Sequence, residues 1–585
     1  NFGSEGDVLK ILDQMDDEAR DVKRDFDKRA KDNPKLFRGQ QWRMSREPYF
    51  LLNVIQANIE HKVGRISETR PSIRVMAGTD GLEPVTKVLK DIITAIWDNR
   101  GIEHQMELLA MYAAIMGVGF GGMPWNRELA NETGDIDFVV KDPRMVRFDP
   151  MILRSRDLDR AEYIILEEVF PLGVIRAEYP GRGALVEADP RVSAFSNDED
   201  SPRTVTSMIA GAAQRLLGRG SKASPSAVPR AVLQEYYIKD RRKSIDDDEL
   251  VPIIDGITAS APKGKPFPGG RRILRAGKTI LKDEYNPYWD GGWPVDMISW
   301  KIDIESAWGM DEVQSVRRIQ DAINRAGDAY TKNLILNSAI RVLAEENALQ
   351  PDQRNALSNM PAQIIEYRAG RKVEVQVPAP LPADALVFID KLLDWSRLIN
   401  GVQEPPVQHQ VPSIVTGPAI EGLQIMVETS VRTAARRMEG FLQATGQKLI
   451  SRIFQFYTSD RIVRMVGPKQ EWVNFEFKRL EILRDKKGAL RTEEDIRKAW
   501  RDFYFLVDPT SSLPMTKLQR SLGKLELFKI GLVPGKDVLE ELGIQNAEEK
   551  IQQARDDMEK GLGPPEPKGR KEGGKSALSG VNLGG

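Results

Sequence analysis

Trp308-Gly309-Met310-Asp311-Glu312-Val313-Gln314-Ser315-Val316-Arg317-Arg318-Ile319-Gln320-Asp321-Ala322-Ile323-Asn324 opens the stretch, ending near Tyr457, around which the chain is organised. Val313, Val316, Ile319, Ile323, Tyr330 and Leu334 recur every three or four residues, which predicts one helix with a single apolar stripe. Between Asn337 and Pro378 the period changes. Ile364–Arg368 and Lys372–Val377 flank Ala369-Gly370-Arg371, a strand–turn–strand pattern. Pro378-Ala379-Pro380-Leu381-Pro382 closes this insert, and helical spacing returns with Leu386, Ile389, Leu392, Leu393, Leu398 and Ile399. Gly401 ends the second helix. The run Gln403-Glu404-Pro405-Pro406-Val407-Gln408-His409-Gln410-Val411-Pro412 holds three prolines and cannot be helical. A third helix starts at Thr416-Gly417-Pro418, where a first-turn proline sacrifices no hydrogen bond, and its apolar positions run from Ile420 to Phe454.

About forty residues at a rise of ~1.5 Å make this last helix roughly 60 Å long, about twice the width of a small domain. Such a helix crosses several domains or packs against other chains. The first two helices and their insert form a finger with little core of its own. Two arrangements satisfy it: copies of the chain side by side, or an ordinary helical hairpin laid on the rest of the monomer.

The order of these elements resembles the portal protein, or head-to-tail connector, of tailed bacteriophages. The residues that carry the resemblance are Trp308-Gly309, Ile319-Gln320-Asp321-Ala322-Ile323-Asn324, Asn400-Gly401-Val402-Gln403-Glu404-Pro405-Pro406 and Thr416-Gly417-Pro418-Ala419-Ile420. Phe37-Arg38-Gly39-Gln40-Gln41-Trp42, with Asn53 and Asn58 in the next helix, is similar to the N-terminal wing of podovirus-type portals. The resemblance implies an α+β fold with a helical and β wing, a two-helix stem, a small α/β clip, a long wing-spanning helix and a helical crown. In this sequence the wing falls at 1–304, with a surface insertion at 182–230, and the first stem helix at 305–337. The clip follows at 338–380, the second stem helix at 381–401, a tunnel loop at 402–415 and the long helix at 416–457. A C-terminal wing and crown then occupy 458–560, before a Gly-, Pro-, Lys- and Ser-rich tail at 561–585 that is expected to be disordered.

A subunit of that family is expected to form a homo-oligomeric ring, a dodecamer if it follows its relatives, at one capsid vertex of the virion. Double-stranded DNA passes through the ring during packaging and ejection. The implied partners are the terminase large subunit, tail adaptor and head-completion proteins, and the major capsid and scaffolding proteins. Gln403, Glu404, Pro405, Pro406, Gln408, His409 and Gln410 would belong to the tunnel loop. There neutral amides touch phosphate without the salt-dependent grip that stalls sliding. Without the resemblance, the loop reads as a linker stiffened by prolines. Tyr367, Arg368, Arg371 and Lys372 would belong to the clip that docks terminase and adaptors. Arg432, Arg436 and Arg437 on the long helix suit either DNA or ion pairs between subunits.

Composition bounds the alternatives. The 585 residues amount to about four domains' worth of chain, and 41% hydrophobic with 29% charged residues is a globular balance. A formal net charge of −1 lacks the basic excess of a protein that grips nucleic acid tightly. With no cysteine, disulfides, thiolate metal sites and cysteine nucleophiles are excluded. No signal-peptide pattern stands at the N-terminal end, so the expectation is a reducing compartment, the host cytoplasm during assembly. Leu108 to Trp125 is uncharged, but Gly117, Gly119, Gly121, Gly122 and Pro124 break it, so it reads as a buried helix leading into a strand rather than a membrane span.

Residues 1–35 are mostly charged, with Val8, Ile11, Leu12 and Met15 as a short stripe, which predicts a solvated outer helix. Helices are predicted over Leu51–Val63, Pro84–Trp97 and Ile102–Met116, and strands over Arg70–Val75, Ile136–Val140, Val146–Phe148 and Tyr163–Leu166. Asp142-Pro143 and Asp149-Pro150 turn the chain between strands. Residues 182–230 lack a sustained period apart from a short Met208–Leu217 helix. Val232–Ile238 reads as a strand and Arg271–Lys282 as a hairpin. After Tyr457 short strands at Ile462–Val466 and Trp472–Phe475 precede helices at Thr492–Trp500, Pro514–Leu527, Lys536–Leu542 and Asn546–Lys560.

Several motifs imitate chemistry. Gly117-Val118-Gly119-Phe120-Gly121-Gly122 spells G-x-G-x-x-G, but a helix precedes it where a dinucleotide site requires a strand. Ala276-Gly277-Lys278-Thr279 ends like a P-loop, yet Arg272 stands where its first glycine belongs. Asp246-Asp247-Asp248-Glu249 suits a hard cation or a solvated loop. His61, His104 and His409 have no ligand spacing. The expectation is a protein without catalysis, cofactor or metal. The rival classes are a metal-dependent nuclease, and another phage structural or scaffolding protein.

Overall fold

In the computed structural model the described residues are 5–41, 50–67, 70–78, 82–130, 133–189, 228–239, 269–338, 341–346, 348–349, 369–370, 372–376, 384–400, 429–457, 461–466, 472–477 and 499–507. The chain divides into two compact units, 1–465 with 474–513, and 466–473 with 514–585. Nearly all described residues belong to the first.

Helix α1 (Glu5–Phe37) departs from the solvated helix that its charge predicts. It buries Val8, Leu12, Asp16, Ala19, Lys23, Phe26, Ala30, Asn33 and Leu36, about one residue per turn along its length. Three of these nine positions are polar, so the apolar period is broken although the buried face is continuous. Lys23 Nζ donates to the Arg144 and Val146 carbonyls at 2.6 and 2.8 Å. Arg147 pairs with Asp16 at 2.6 Å, both side chains being 6% exposed. Buried charge survives here because each group meets an opposite charge or a carbonyl.

Helix α2 (Val54–Ser67), strand β1 (Ile73–Ala77) and helices α3 (Glu83–Arg100) and α4 (Ile102–Met116) follow where the periodicity places them. Gly117 ends α4 at φ 99°, a left-handed conformation that glycine adopts without strain. A Cβ there would also approach the Trp308 carbonyl oxygen to 2.9 Å. The glycine run then forms strand β2 (Val118–Gly122), so helix precedes strand, the reverse of a dinucleotide site.

Strands β3 (Trp125–Asn126), β4 (Asp135–Ile136), β5 (Val139–Lys141), β6 (Val146–Phe148) and β7 (Tyr163–Pro171) come next. Both Asp-Pro pairs are turns: Asp142 Oδ1 accepts from Arg144 N, and Asp149 Oδ1 from Met151 N, each at 2.9 Å. Helix α5 (Leu172–Glu178) leads to a single 3-10 turn at Arg182–Leu185, which gives the start of the predicted insertion a local structure. The Met208–Leu217 helix lies outside the described residues. Strands β8 (Arg230–Ile238), β9 (Arg271–Ala276), β10 (Thr279–Tyr285) and β11 (Asp296–Ser299) complete two antiparallel sheets, ordered β10-β9-β8-β7-β6 and β11-β2-β5. Lys278 sits at the β9–β10 hairpin tip, so its surroundings are those of a β-turn, not a P-loop.

Helix α6 (Glu312–Ser338) matches the first predicted long helix and α7 (Asp384–Asn400) the second. Between them β12 (Arg341–Ala344) pairs with β13 (Val373–Gln376), register Arg341↔Gln376 to Ala344↔Val373. The described partner of β13 is thus the segment just after α6, whereas the sequence pattern pairs it with Ile364–Arg368, which lie outside the described residues.

Helix α8 (Thr429–Phe456) is the described part of the third. Its 28 residues span about 42 Å. Val431, Met438, Phe441, Leu442, Leu449, Ile450, Ile453 and Phe454 enter the main core with residues from α2, α3 and α4. This part of the helix is therefore covered by its own chain, and length alone does not make it dependent on a neighbour. Its Arg452 is wholly buried, donates to the Met123 and Trp293 carbonyls and lies 4.2 Å from the Tyr288 ring centroid. Lys448 bridges Asp296 at 2.6 Å and Asp159 at 2.7 Å. Strands β14 (Arg461–Val466) and β15 (Trp472–Phe477) form a two-stranded sheet, and β16 (Phe503–Val507) pairs antiparallel with β1.

Candidate functional site: the α6–α7 hairpin and its root

Side chains from distant segments fix the root of α6. Asp311 caps the helix, its Oδ1 accepting from Gln314 N at 2.7 Å, and Arg29 lies 3.3 Å from Oδ2. Glu312 is buried and accepts from Lys62 Nζ at 2.7 Å, Trp300 Nε1 at 2.8 Å and Lys301 Nζ at 2.9 Å. Burial alone would raise its carboxyl, but Lys62 and Lys301 outweigh that and hold it below the ordinary range. Burial pushes the Lys62 ammonium down despite Glu312.

Two turns further, charge gives way to amides. Gln320 Oε1 accepts from Val54 N at 2.9 Å, and its Nε2 donates to the Leu52 carbonyl at 2.6 Å and to Asn324 Oδ1 at 3.0 Å. Asn324 donates to Gln41, and Asn53 donates to the Phe37 carbonyl at 2.7 Å. On α7, Ser396 Oγ accepts from Asn58 at 3.3 Å. Gln41, held by Asn53, thus meets Asn324 beside Gln320, and Asn58 meets Ser396, although more than 200 residues separate the partners in sequence. Each motif is legible by itself in the sequence; the joint between them is not.

Beyond the root the hairpin has one closed and one open face. Leu392 and Ser396 are buried, and Ile389 and Leu393 are half-buried. Phe388 (48%), Trp395 (49%) and Ile399 (51%), at i, i+7 and i+11 on α7, are exposed, and Val387 and Leu398 stand beside them. On α6, Leu334 and Ile335 are also exposed. At 100° per residue, Leu334 continues the face that lower down carries the buried Val316, Ile323 and Gly327, so a core-facing stripe runs on without cover. A contiguous apolar patch of this kind marks an interaction surface, whereas single exposed apolar residues do not.

The proline-bearing loop, with Gln403, Glu404, Pro405, Pro406, Gln408, His409 and Gln410, lies outside the described residues, as do Tyr367, Arg368 and Arg371. Lys372 is described: it is exposed, and its carbonyl accepts from Glu345 N at 3.1 Å across the β12–β13 pair. Of Arg432, Arg436 and Arg437 on α8, Arg437 is half-buried and donates to the Trp300 carbonyl, and burial lowers its pKa. Arg436 is exposed and Arg432 half-buried. His61 and His104 are both exposed, and His409 and Asp246–Glu249 are outside the described residues. Among the described residues no group of three His, Asp or Glu side chains is placed to hold a metal, and no helix is long and apolar enough to cross a membrane.

No curated protein matches the chain. A family model does: that of the Phage P22-like portal protein, over residues 14–513. Portal proteins are structural components of the phage head rather than enzymes, with the head-tail connector and genome packaging as their province. With that match covering most of its length, the chain belongs to the P22-like portal protein family of bacteriophages.

Proposed function

We propose that this chain assembles with copies of itself into a closed ring at one capsid vertex, the conduit for double-stranded DNA during packaging and ejection. The observation that carries this reading is the open apolar stripe Phe388–Trp395–Ile399 on a hairpin whose root is rigidly held. A heterologous contact, repeated with a rotation that divides a full turn, closes into a ring and covers that stripe in every copy. Family membership supports the same arrangement. In this reading α6 and α7 are the stem, the insert bearing β12 and β13 is the clip, and 402–415 is the tunnel loop whose amides face DNA. The clip, with Tyr367, Arg368, Arg371 and Lys372, docks the terminase large subunit and later the tail adaptors. The motor is the terminase, so ATP hydrolysis lies outside this chain. Assembly takes place in the host cytoplasm with scaffolding and major capsid proteins, and a dodecamer is the subunit number that the family suggests.

Particle images of the purified chain test the reading. Rings with a central hole are expected for the unaltered chain, and smaller species for Trp395→Asp with its helical content retained. Rings that form undisturbed by Trp395→Asp would refute the assignment of the stripe.

A further inference from the structure

We infer that each copy seats its Met151 side chain in a cavity of the next copy, between α3, α4 and α8; this rests on the ring reading above and adds a contact distinct from the α7 stripe. The cavity opens at the edge of the main core, has a volume of about 40 Å³ and is lined by Trp97, Met106, Met438 and Leu442. That is room for about three waters, or for the end of one long apolar side chain. Trp97 is buried, yet its Nε1 meets no acceptor among the described residues. A buried donor left unpaired is costly, so the occupant that fits brings an apolar end together with a carbonyl oxygen. The charged residues of the lining are Arg70, Glu103 and Glu439. Arg70 lies 2.8 Å from Asp98 and 3.8 Å from Glu103, so its closer partner stands outside the lining and the mouth stays net acidic.

The same chain carries the complement. Among the described residues its three most exposed large apolar side chains are Ile304 (88%), Met151 (83%) and Leu185 (70%). Ile304 stands between Asp303 and Glu305, which an acidic mouth repels, and the arginine nearest Leu185, Arg182, is held by Glu5 at 2.8 Å. Of the three, only Met151 brings cations. The run from Pro150 to Arg156 holds Arg154 and Arg156 and no acid; both arginines are exposed, and neither makes an ion pair among the described residues. Three residues span at most ~10 Å, so the long Arg154 side chain reaches the carboxylates of the mouth while Met151 is seated. The knob is also preformed. Asp149 is buried and accepts from Met151 N through Oδ1 and from Glu162 N through Oδ2, each at 2.9 Å, and its carbonyl accepts from Ile152 N at 3.2 Å. A loop so held loses little entropy on docking, and an unbranched thioether suits a narrow mouth beside an indole. Knob and cavity lie on different elements of one chain, so the contact is heterologous and repeats around a ring.

The lack of cysteine makes the test direct. Met151→Cys and Glu103→Cys each place a single thiol at an exposed position. Rings formed from an equal mixture of the two full-length variants are treated with a short bismaleimide. Linked pairs of chains are expected from the mixture and none from either variant alone. Rings of the mixture without linked pairs, or links formed equally by one variant alone, overturn the inference and leave the ring reading standing. In parallel, Met151→Asp should raise the chain concentration at half assembly by about tenfold or more, the worth of one buried thioether, and Met151→Leu should leave it little changed. Arg154→Glu should weaken assembly, and Arg154→Glu with Glu103→Arg should restore it. Assembly untouched by Met151→Asp, or a charge exchange that restores nothing, also overturns the inference. An unaltered chain that forms no ring removes both readings.

Discussion

Lys62 donates to Glu312 at 2.7 Å, with both side chains only 4% exposed, and so joins α2 to the first residue of α6. Removing one partner of a buried pair leaves an uncompensated charge in a low-dielectric site. Glu312→Gln should therefore cost about 3–5 kcal/mol, read by chemical denaturation. Glu312→Gln with Lys62→Met should recover most of that loss, since glutamine still accepts from Trp300, the deeply buried cation is gone, and Lys301, about a third exposed, keeps access to water. A double variant as unstable as the single one would refute this account of the root.

Lys23 makes stability depend on alkaline pH. Burial lowers its ammonium from 10.5 to about 8, with Asp27 only partly offsetting this. Between those values the unfolded chain holds the proton more tightly than the folded one, so stability rises with pH across that window. The difference between the unaltered chain and Lys23→Met should change by about 3 kcal/mol from pH 8 to 10.5, in the direction that favours the unaltered chain at high pH. Denaturation curves whose difference stays flat over that range would contradict it.

Gly327 gives the Phe50 ring room against α6, because a Cβ at that position would overlap the ring. Gly327→Val should lower stability by about 1–3 kcal/mol, by overpacking. Gly327→Val with Phe50→Ala should show a favourable coupling in a thermal-denaturation cycle. Additive losses would mean that the two residues do not meet.

Deleting Gln403–Pro412 should leave rings intact and impair DNA packaging or retention, measured as the protected DNA per head. Heads filled as before would count against the tunnel-loop role. Replacing Arg368, Arg371 and Lys372 together with alanine should weaken docking of terminase or adaptor in a pull-down, and undiminished binding of both would remove the clip assignment.

Much of this architecture is legible in the sequence where the period is clean. Helices α4, α6 and α7, the β9–β10 hairpin and both Asp-Pro turns lie within a few residues of the pattern, because apolar spacing and turn chemistry are local. Helix α1 reads as solvated in sequence because Asp16, Lys23 and Asn33 occupy its buried face, and their partners include strands and helices tens to hundreds of residues away. Phe503–Val507 is apolar or aromatic throughout, so its sequence shows no alternation, although the fold buries Phe503 and Phe505 and leaves Tyr504 exposed between them. The root of the hairpin belongs to the same class: Gln41 and Asn324 stand in separate motifs, and nothing local links the two until the fold brings them together. The open stripe on α7 is likewise a property of the fold. Leu392 and Trp395 look equally apolar in sequence, and only burial shows that one faces inward and the other outward.

The mass and shape of the assembled full-length chain test the central claim most directly. Mass measurement with particle imaging, before and after Trp395→Asp, should show a closed annulus of many copies that falls to small species, with unchanged circular dichroism. An annulus of the same mass built from Trp395→Asp, or an unaltered chain that stays monomeric under every condition tried, would contradict the account.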